Sequence, residues 1–329
     1  MTPKHDPRTS DQAGGHSPMV VEKVRRLLRL LDAIRGHPFL GGRVVLKGGT
    51  ALNLFLWDVP RLSVDLDLNY IGSESRENML ADRPLVEQGI EAVCRRQGIS
   101  VGRVPGEHAG GKWRLRYSDD GGTSGTLEID VNFLDRVRLW PVVEMDSRMV
   151  GGTQASRVSV LDAHELAAGK LAALLARDAS RDLFDARRLL ADQPLDPGRL
   201  RLSFLVYGGM SRKDWRTVTL DDVTVSARDI ETKLIPVLRS DVVPPREEIA
   251  EWGRRLVDEV RDRLSIVLPL AAHEREFLDA LNDRGEIRPD LLTGDLAVQD
   301  LLRGHPGLRW KAISVRSHRG ISAVDGDGA

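Results

Sequence analysis

The stretch SVDLDLNYI constrains this chain more than any other part of it. Val64, Leu66 and Leu68 alternate strictly with Asp65, Asp67 and Asn69, the period of a strand with one dry face and one wet face. In a helix, residues two apart do not face each other, so the two carboxylates would diverge. On a strand they share a face, about 7 Å apart along the chain at a rise of about 3.3 Å per residue. A hard divalent cation such as Mg²⁺ takes one or two carboxylates plus substrate phosphates, so such a pair can hold one. Taken alone, the pattern is weak evidence for a site, because an exposed strand face often carries alternating acids.

The neighbouring segments add to it. RVVLKGG reads as a short buried strand ending in glycines, and TALNLFLW follows as a helix opened by Thr50, a residue able to cap it. Glycines without a Cβ let backbone N–H groups approach phosphate oxygens, and a helix N-terminus favours negative charge. A triphosphate held at Gly48, Gly49 and Thr50 would thus lie beside a metal on Asp65 and Asp67; the plainer reading is a turn and a cap. Arg61 and Ser63, in RLSVDLD, either contact phosphate or order the loop.

Further on, TLEIDVNF puts Glu128 and Asp130 on one strand face and Leu127, Ile129 and Val131 on the other. Asp130 is the candidate third carboxylate for the metal. Its apolar flanks suggest a central strand, where an unpaired acid costs several kcal/mol; a surface edge strand is the alternative. KWRLRY sets Lys112, Arg114 and Arg116 opposite Trp113, either a track for an RNA phosphate backbone or a solvated face.

The order of segments predicts an α+β chain in two parts. Residues 1–17 lack periodicity and are expected to be a disordered tail. A front domain over 18–155 combines a helix over Pro18–Ile34, a second helix over Glu77–Arg96 and a mixed β-sheet flanked by helices. A mostly α-helical domain follows over 156–318, with HELAAGKLAALLAR, RDLFDARRLL, GRLRLSFLVYGG, ARDIETKLIPVLR, EEIAEWGRRLVDEVRDRL and EREFLDALN as successive helices, before a flexible tail at 319–329.

Composition narrows the function classes. Lys plus Arg (48) balance Asp plus Glu (49), so any nucleic-acid partner must be met by a local patch. No apolar run approaches the roughly 20 residues of a membrane span, and the N-terminus lacks a signal-peptide core, so no membrane partner and a cytoplasmic location are expected. The single Cys94 sits in a helical pattern and reads as packing rather than as a nucleophile. Aromatic residues make up 5%, too few for an extended base-stacking platform, so a structured RNA end fits better than a long single strand.

With these residues in view, KGGTALNLFLWDVPRLSVDLDL and the later HELAAGKLAALLARDASRDLFDARRLL resemble the AbiEii/AbiGii toxin family of bacterial nucleotidyltransferases, within the DNA polymerase β-like superfamily. That superfamily carries a G-[GS] turn, D-x-D on the next strand and a further acid on a later one. The family's second signature, a helix with a Lys and a downstream Arg followed by R-D-x-x-D, is matched by Lys170, Arg177, Arg181, Asp182 and Asp185. The match in motifs covers about residues 43–190, and the rest agrees only in helical character.

The resemblance implies a nucleotidyltransferase using Mg²⁺ or Mn²⁺ and a nucleoside triphosphate, with Asp65, Asp67 and Asp130 as metal ligands and Lys170 and Asp182 as further catalytic residues. It implies nucleotide contacts from Gly48, Gly49, Thr50, Ser63, Lys170 and Arg177. It implies a MenT-like toxin of a type IV toxin–antitoxin system, with a cognate antitoxin and an RNA acceptor, the 3′ end of tRNA in some relatives. Lys170 and Arg177 are seven apart, within about 20° of one helix face, and would clamp the triphosphate. Arg181 and Asp185, four apart, read as an ordinary helix pair. Nucleotidylation of a protein or small molecule, or a silent binding module on the same fold, are the alternatives.

Overall fold

The computed structural model describes residues 11–103, 106, 109–118 and 124–320. Seven strands form one mixed sheet: β1 (Val44–Lys47), β2 (Asp65–Tyr70), β3 (Ser100–Arg103), β4 (Gly110–Ser118), β5 (Ser124–Asn132), β6 (Val143–Met145) and β7 (Val158–Val160). Their spatial order is β3-β4-β5-β2-β1-β7-β6. β2 pairs β5 and β1 pairs β7 in parallel, while the remaining pairs are antiparallel. The chain is therefore α+β, with a mixed sheet and flanking helices followed by a helical region.

The alternation read from β2 holds across the central strands except at Asn69, which is buried at the end of the face read as wet. Leu66, Leu68, Trp113, Leu115, Ile129 and Val131 are buried, whereas Asp65, Asp67 and Asp130 are half-buried and Lys112, Arg114 and Arg116 exposed. The helices α1 (Pro18–Gly36) and α3 (Arg76–Arg96) pack on this sheet, α1 touching β5 and β7 and α3 touching β3. Six α1 residues, Val24, Leu27, Leu28, Leu30, Leu31 and Ile34, are buried, each contributing roughly 1.5–3 kcal/mol. One sheet face is thereby the core, and the charged face is left for chemistry.

Several local expectations change. Residues 11–17, read as tail, are placed: Asp11 accepts from the Gly151 and Gly152 amides at 2.7 and 2.9 Å, and the His16 ring meets the Val59 carbonyl at 3.2 Å. Residues 1–10 and 321–329 lie outside the described residues. The segment after β1 is a four-residue helix α2 (Gly48–Ala51) running into a wider π turn over Leu52–Leu56; it starts at Gly48, so Thr50 does not cap it. β6 and β7 are three residues each, too short for a periodic signal. Two further helices, Leu296–Gly304 and Pro306–Arg319, lie in the expected helical domain beyond the last helix named from the sequence.

The chain divides into two compact units, one comprising residues up to Asp162 with Ala227–Ala250, the other Ala163–Ser226 with the chain from Glu251 onward. Residues 227–250 thus return to the sheet unit. There the Val237 carbonyl accepts from the Leu62 amide at 2.8 Å, and the Arg239 amide donates to Pro60 at 3.1 Å. These bonds fix the loop that enters β2. The second unit packs α4 (Ala163–Ala176) against α5 (Ser180–Asp192) and α6 (Pro197–Met210). No helix among the described residues is long and apolar enough to cross a membrane.

Candidate active site

Register decides which acids meet. Lys47 lies opposite Asp67, Asp67 beside Asp130, and Asp130 opposite Lys112, one row across four neighbouring strands. Residues directly opposite share a face, and adjacent strands are about 4.8 Å apart. The row therefore reads plus, minus, minus, plus. The next row runs Asp65, Glu128, Arg114. Its glutamate is held by Lys112 Nζ at 3.0 Å, with Arg114 Nε at 3.8 Å. Asp67 and Asp130 are recorded with no hydrogen bond or ion pair to any described residue.

This leaves Asp130 in an unfavourable position. Burial and then the charge of Asp67 push its carboxyl above the ordinary value, against the opposing pull of Lys47 and Lys112. Lys112 is itself pushed up, chiefly by its hydrogen bond to Glu128. Lys47, which the sequence reading passed over, approaches Asp135 at 3.8 Å and is the cation opposite Asp67. The available signal was its place as the last residue of a buried strand, directly before the glycines.

The glycine turn is built around the same carboxylate. Gly48 has φ +74°, and a Cβ there would lie 2.1 Å from Asp67 Oδ2, so only glycine lets the chain pass. At Gly49 a Cβ would meet Arg61 Nη2 at 2.9 Å and Ser63 Oγ at 3.2 Å. Gly48, Gly49, Arg61, Ser63 and Asp67 are thus gathered in one place. Thr50 has a different task. It is fully buried and its hydroxyl donates to the Asp65 backbone carbonyl, bracing the start of β2.

Three carboxylates do not converge here as a finished metal cage. Among the described residues no group of three or more His, Cys, Asp or Glu side chains is arranged to hold a metal ion. Geometry explains this for Asp65, because positions two apart on a strand stand about 7 Å apart. The donor set still suits a hard divalent cation: two adjacent unpaired carboxylates, one short of counter-charge, are what Mg²⁺ takes when phosphates supply its other ligands.

Residues 29–282 match the family described as the nucleotidyl transferase AbiEii toxin of type IV toxin–antitoxin systems, which is well over half of the chain. The chain belongs to the AbiEii family. It is accordingly a nucleotidyltransferase, of a family whose members use nucleoside triphosphates. Its fold is similar to that of MenT4, a nucleotidyltransferase toxin from Mycobacterium tuberculosis H37Rv, with a TM-score of 0.56, 21% identity, and coverage of 87% of this chain and 97% of that one. No curated protein matches the sequence.

The second AbiEii motif lies in the other unit and is fully compensated. Lys170, 9% exposed, reaches Asp182 Oδ1 at 2.9 Å and Asp185 Oδ2 at 3.0 Å, and Arg177 Nε reaches Asp182 Oδ2 at 2.7 Å. Burial pushes the Asp182 carboxyl up, but Lys170 and Arg177 outweigh it and the net shift is downward. Arg177 sits just past the end of α4, and with Lys170 it converges on Asp182 instead of lining a free basic stripe. Asp185, expected to form an ordinary helix pair with Arg181, is fully buried and meets Lys170. Cys94 is buried, and burial pushes its thiol up to about 11, which suits packing.

Proposed function

We propose that the charged sheet face is the transfer site, and that it moves a nucleoside monophosphate from a nucleoside triphosphate to the 3′-terminal hydroxyl of an RNA, tRNA being the expected acceptor. The observation that supports this best is the Asp67–Asp130 pair in register, unpaired, with the Gly48 backbone pressed against Asp67. Asp67 and Asp130 would hold Mg²⁺ or Mn²⁺, with Asp65 the candidate third ligand. Bound there, the ion would neutralise phosphate charge and lower the pKa of the attacking hydroxyl.

The chain's own residues do the rest. Gly48 and Gly49 offer backbone N–H groups to the triphosphate, and Ser63 and Arg61 flank that turn. The acceptor oxygen attacks the α-phosphorus, the bond to the β-phosphate oxygen breaks, pyrophosphate leaves, and Asp130 receives the hydroxyl proton. The exposed Lys112, Arg114 and Arg116 line the adjoining strand and suit an RNA backbone.

Lys170, Arg177 and Asp182 are better suited to holding the second unit together than to touching nucleotide, since the Lys170 ammonium is committed to two buried carboxylates. As a family member, the protein would be restrained by a cognate antitoxin. The test mixes protein, Mg²⁺, each α-labelled nucleoside triphosphate, total bacterial RNA and cell protein. Label is expected in small RNA, absent without divalent ion and reduced at least about a thousandfold in Asp67→Asn, a loss of about 4 kcal/mol. Label in protein would refute the RNA acceptor, and unimpaired Asp67→Asn would refute the site.

A further inference from the structure

We infer that the second unit carries its own nucleotide-binding cleft, between the end of α6 and the C-terminal helix Pro306–Arg319, which grips the RNA acceptor through phosphate and one base. The cleft has a volume of about 340 Å³, at the lower end of the usual range for small-ligand sites. Its wall presents Arg212, Lys311, His318 and Arg319 beside Ser314 and Trp310, and none of its lining residues is acidic. The helix that forms one side, PGLRWKAISVRSHR, has four Arg or Lys residues and no Asp or Glu.

Two side chains make the cleft more than a solvated basic face. Lys311 is half-buried and its recorded hydrogen bond goes to a neutral group, the Ser211 carbonyl at 2.9 Å. Burial, with Arg216 nearby, pulls its ammonium below the ordinary value despite Asp214, so an arriving phosphate would supply charge it lacks. Trp310 is 52% exposed at the cleft, unusual for the largest apolar side chain and suited to stacking on a base. Arg319 is partly neutralised by Asp283 at 2.8 Å, which leaves Arg212 and Lys311 as the principal phosphate contacts. Cations, small hydroxyls and one free indole fit one nucleotide of a chain.

This inference rests on the RNA-acceptor reading, and the experiment separates the two. Binding of labelled tRNA to the full-length protein is followed by anisotropy across a salt series, with label transfer measured on the same samples. Arg212→Glu and Lys311→Gln should each weaken binding several-fold, about tenfold together, and lower the slope of affinity against salt by about 1 per cation removed. Trp310→Phe should abolish a tryptophan-fluorescence change that wild type shows on adding tRNA. Arg212 and Trp310 are exposed, so those variants should fold as wild type does.

If the cleft variants bind like wild type while wild type labels RNA, the cleft is refuted and the transfer reading stands. If wild type neither binds nor labels RNA, both fail. A fluorescence change produced equally by polyglutamate would assign the cleft to an acidic protein, and one produced equally by free ATP to a mononucleotide; either overturns RNA as the ligand.

Discussion

The carboxylates on the sheet face and those on α5 are both motif residues, yet their surroundings are opposite. Asp182 and Asp185 are buried, and each meets a cation within 3.0 Å. Asp67 and Asp130 are half-buried side by side, and Asp130 is disfavoured as an anion by burial and by its neighbour. A compensated buried network serves the fold, because removing one partner strands the others. A pair that its flanking lysines compensate only in part is a local cost that folding alone gives no reason to keep, and such departures mark places where chemistry is done.

Substitutions in the two groups of carboxylates and their partners test the contrast. Lys170→Met takes the ammonium away from two buried carboxylates, Asp182 and Asp185, and should lower the unfolding free energy by about 3–5 kcal/mol in urea titration. A loss under about 1 kcal/mol would show that the network is not structural. Gly48→Ala forces a side chain into a left-handed backbone and against Asp67, costing about 1–3 kcal/mol and, through the displaced carboxylate, most of the transfer activity. Full activity in Gly48→Ala would remove the glycine turn from the site.

A pH series sharpens the same comparison. The folded-state pKa of Asp182 lies below its ordinary value of 3.8, so its ionised form stabilises the fold. That contribution is complete above about pH 5 and is lost as pH falls through the folded value. The stability gap between wild type and Asp182→Asn should therefore narrow as pH drops from 6 to 3, and a gap that stays constant would contradict the ion-pair origin.

Much of this was legible in the sequence because period-two patterning fixes faces. SVDLDLNYI and TLEIDVNF assigned Asp65, Asp67, Glu128 and Asp130 to one side, and KWRLRY assigned its three cations likewise, as the burial pattern bears out. Patterning does not fix which strands pair, or in what register. Only the pairing of β2 with β5 sets Asp130 beside Asp67 and leaves Glu128 to Lys112 and Arg114. Thr50 was misread because a hydroxyl just after two glycines looks like a cap, whereas its bond crosses to a strand 15 residues away. The order of residues 11–17 depends on one aspartate meeting two amides some 140 residues on, which no local signal reveals. Lys170 and Arg177 do converge, but through Asp182 rather than through helical spacing.

The smallest stability change carries the most information. Burial and the charge of Asp67 hold the Asp130 carboxyl above its ordinary value in the folded protein, so its ionisation at neutral pH costs the fold stability, and a neutral isostere removes that penalty. Unfolding midpoint and label transfer measured on one preparation of Asp130→Asn test both halves of the comparison together. The expected result is a midpoint equal to or above wild type with transfer abolished; transfer retained, or a midpoint several degrees lower, would contradict the assignment of this pair to catalysis.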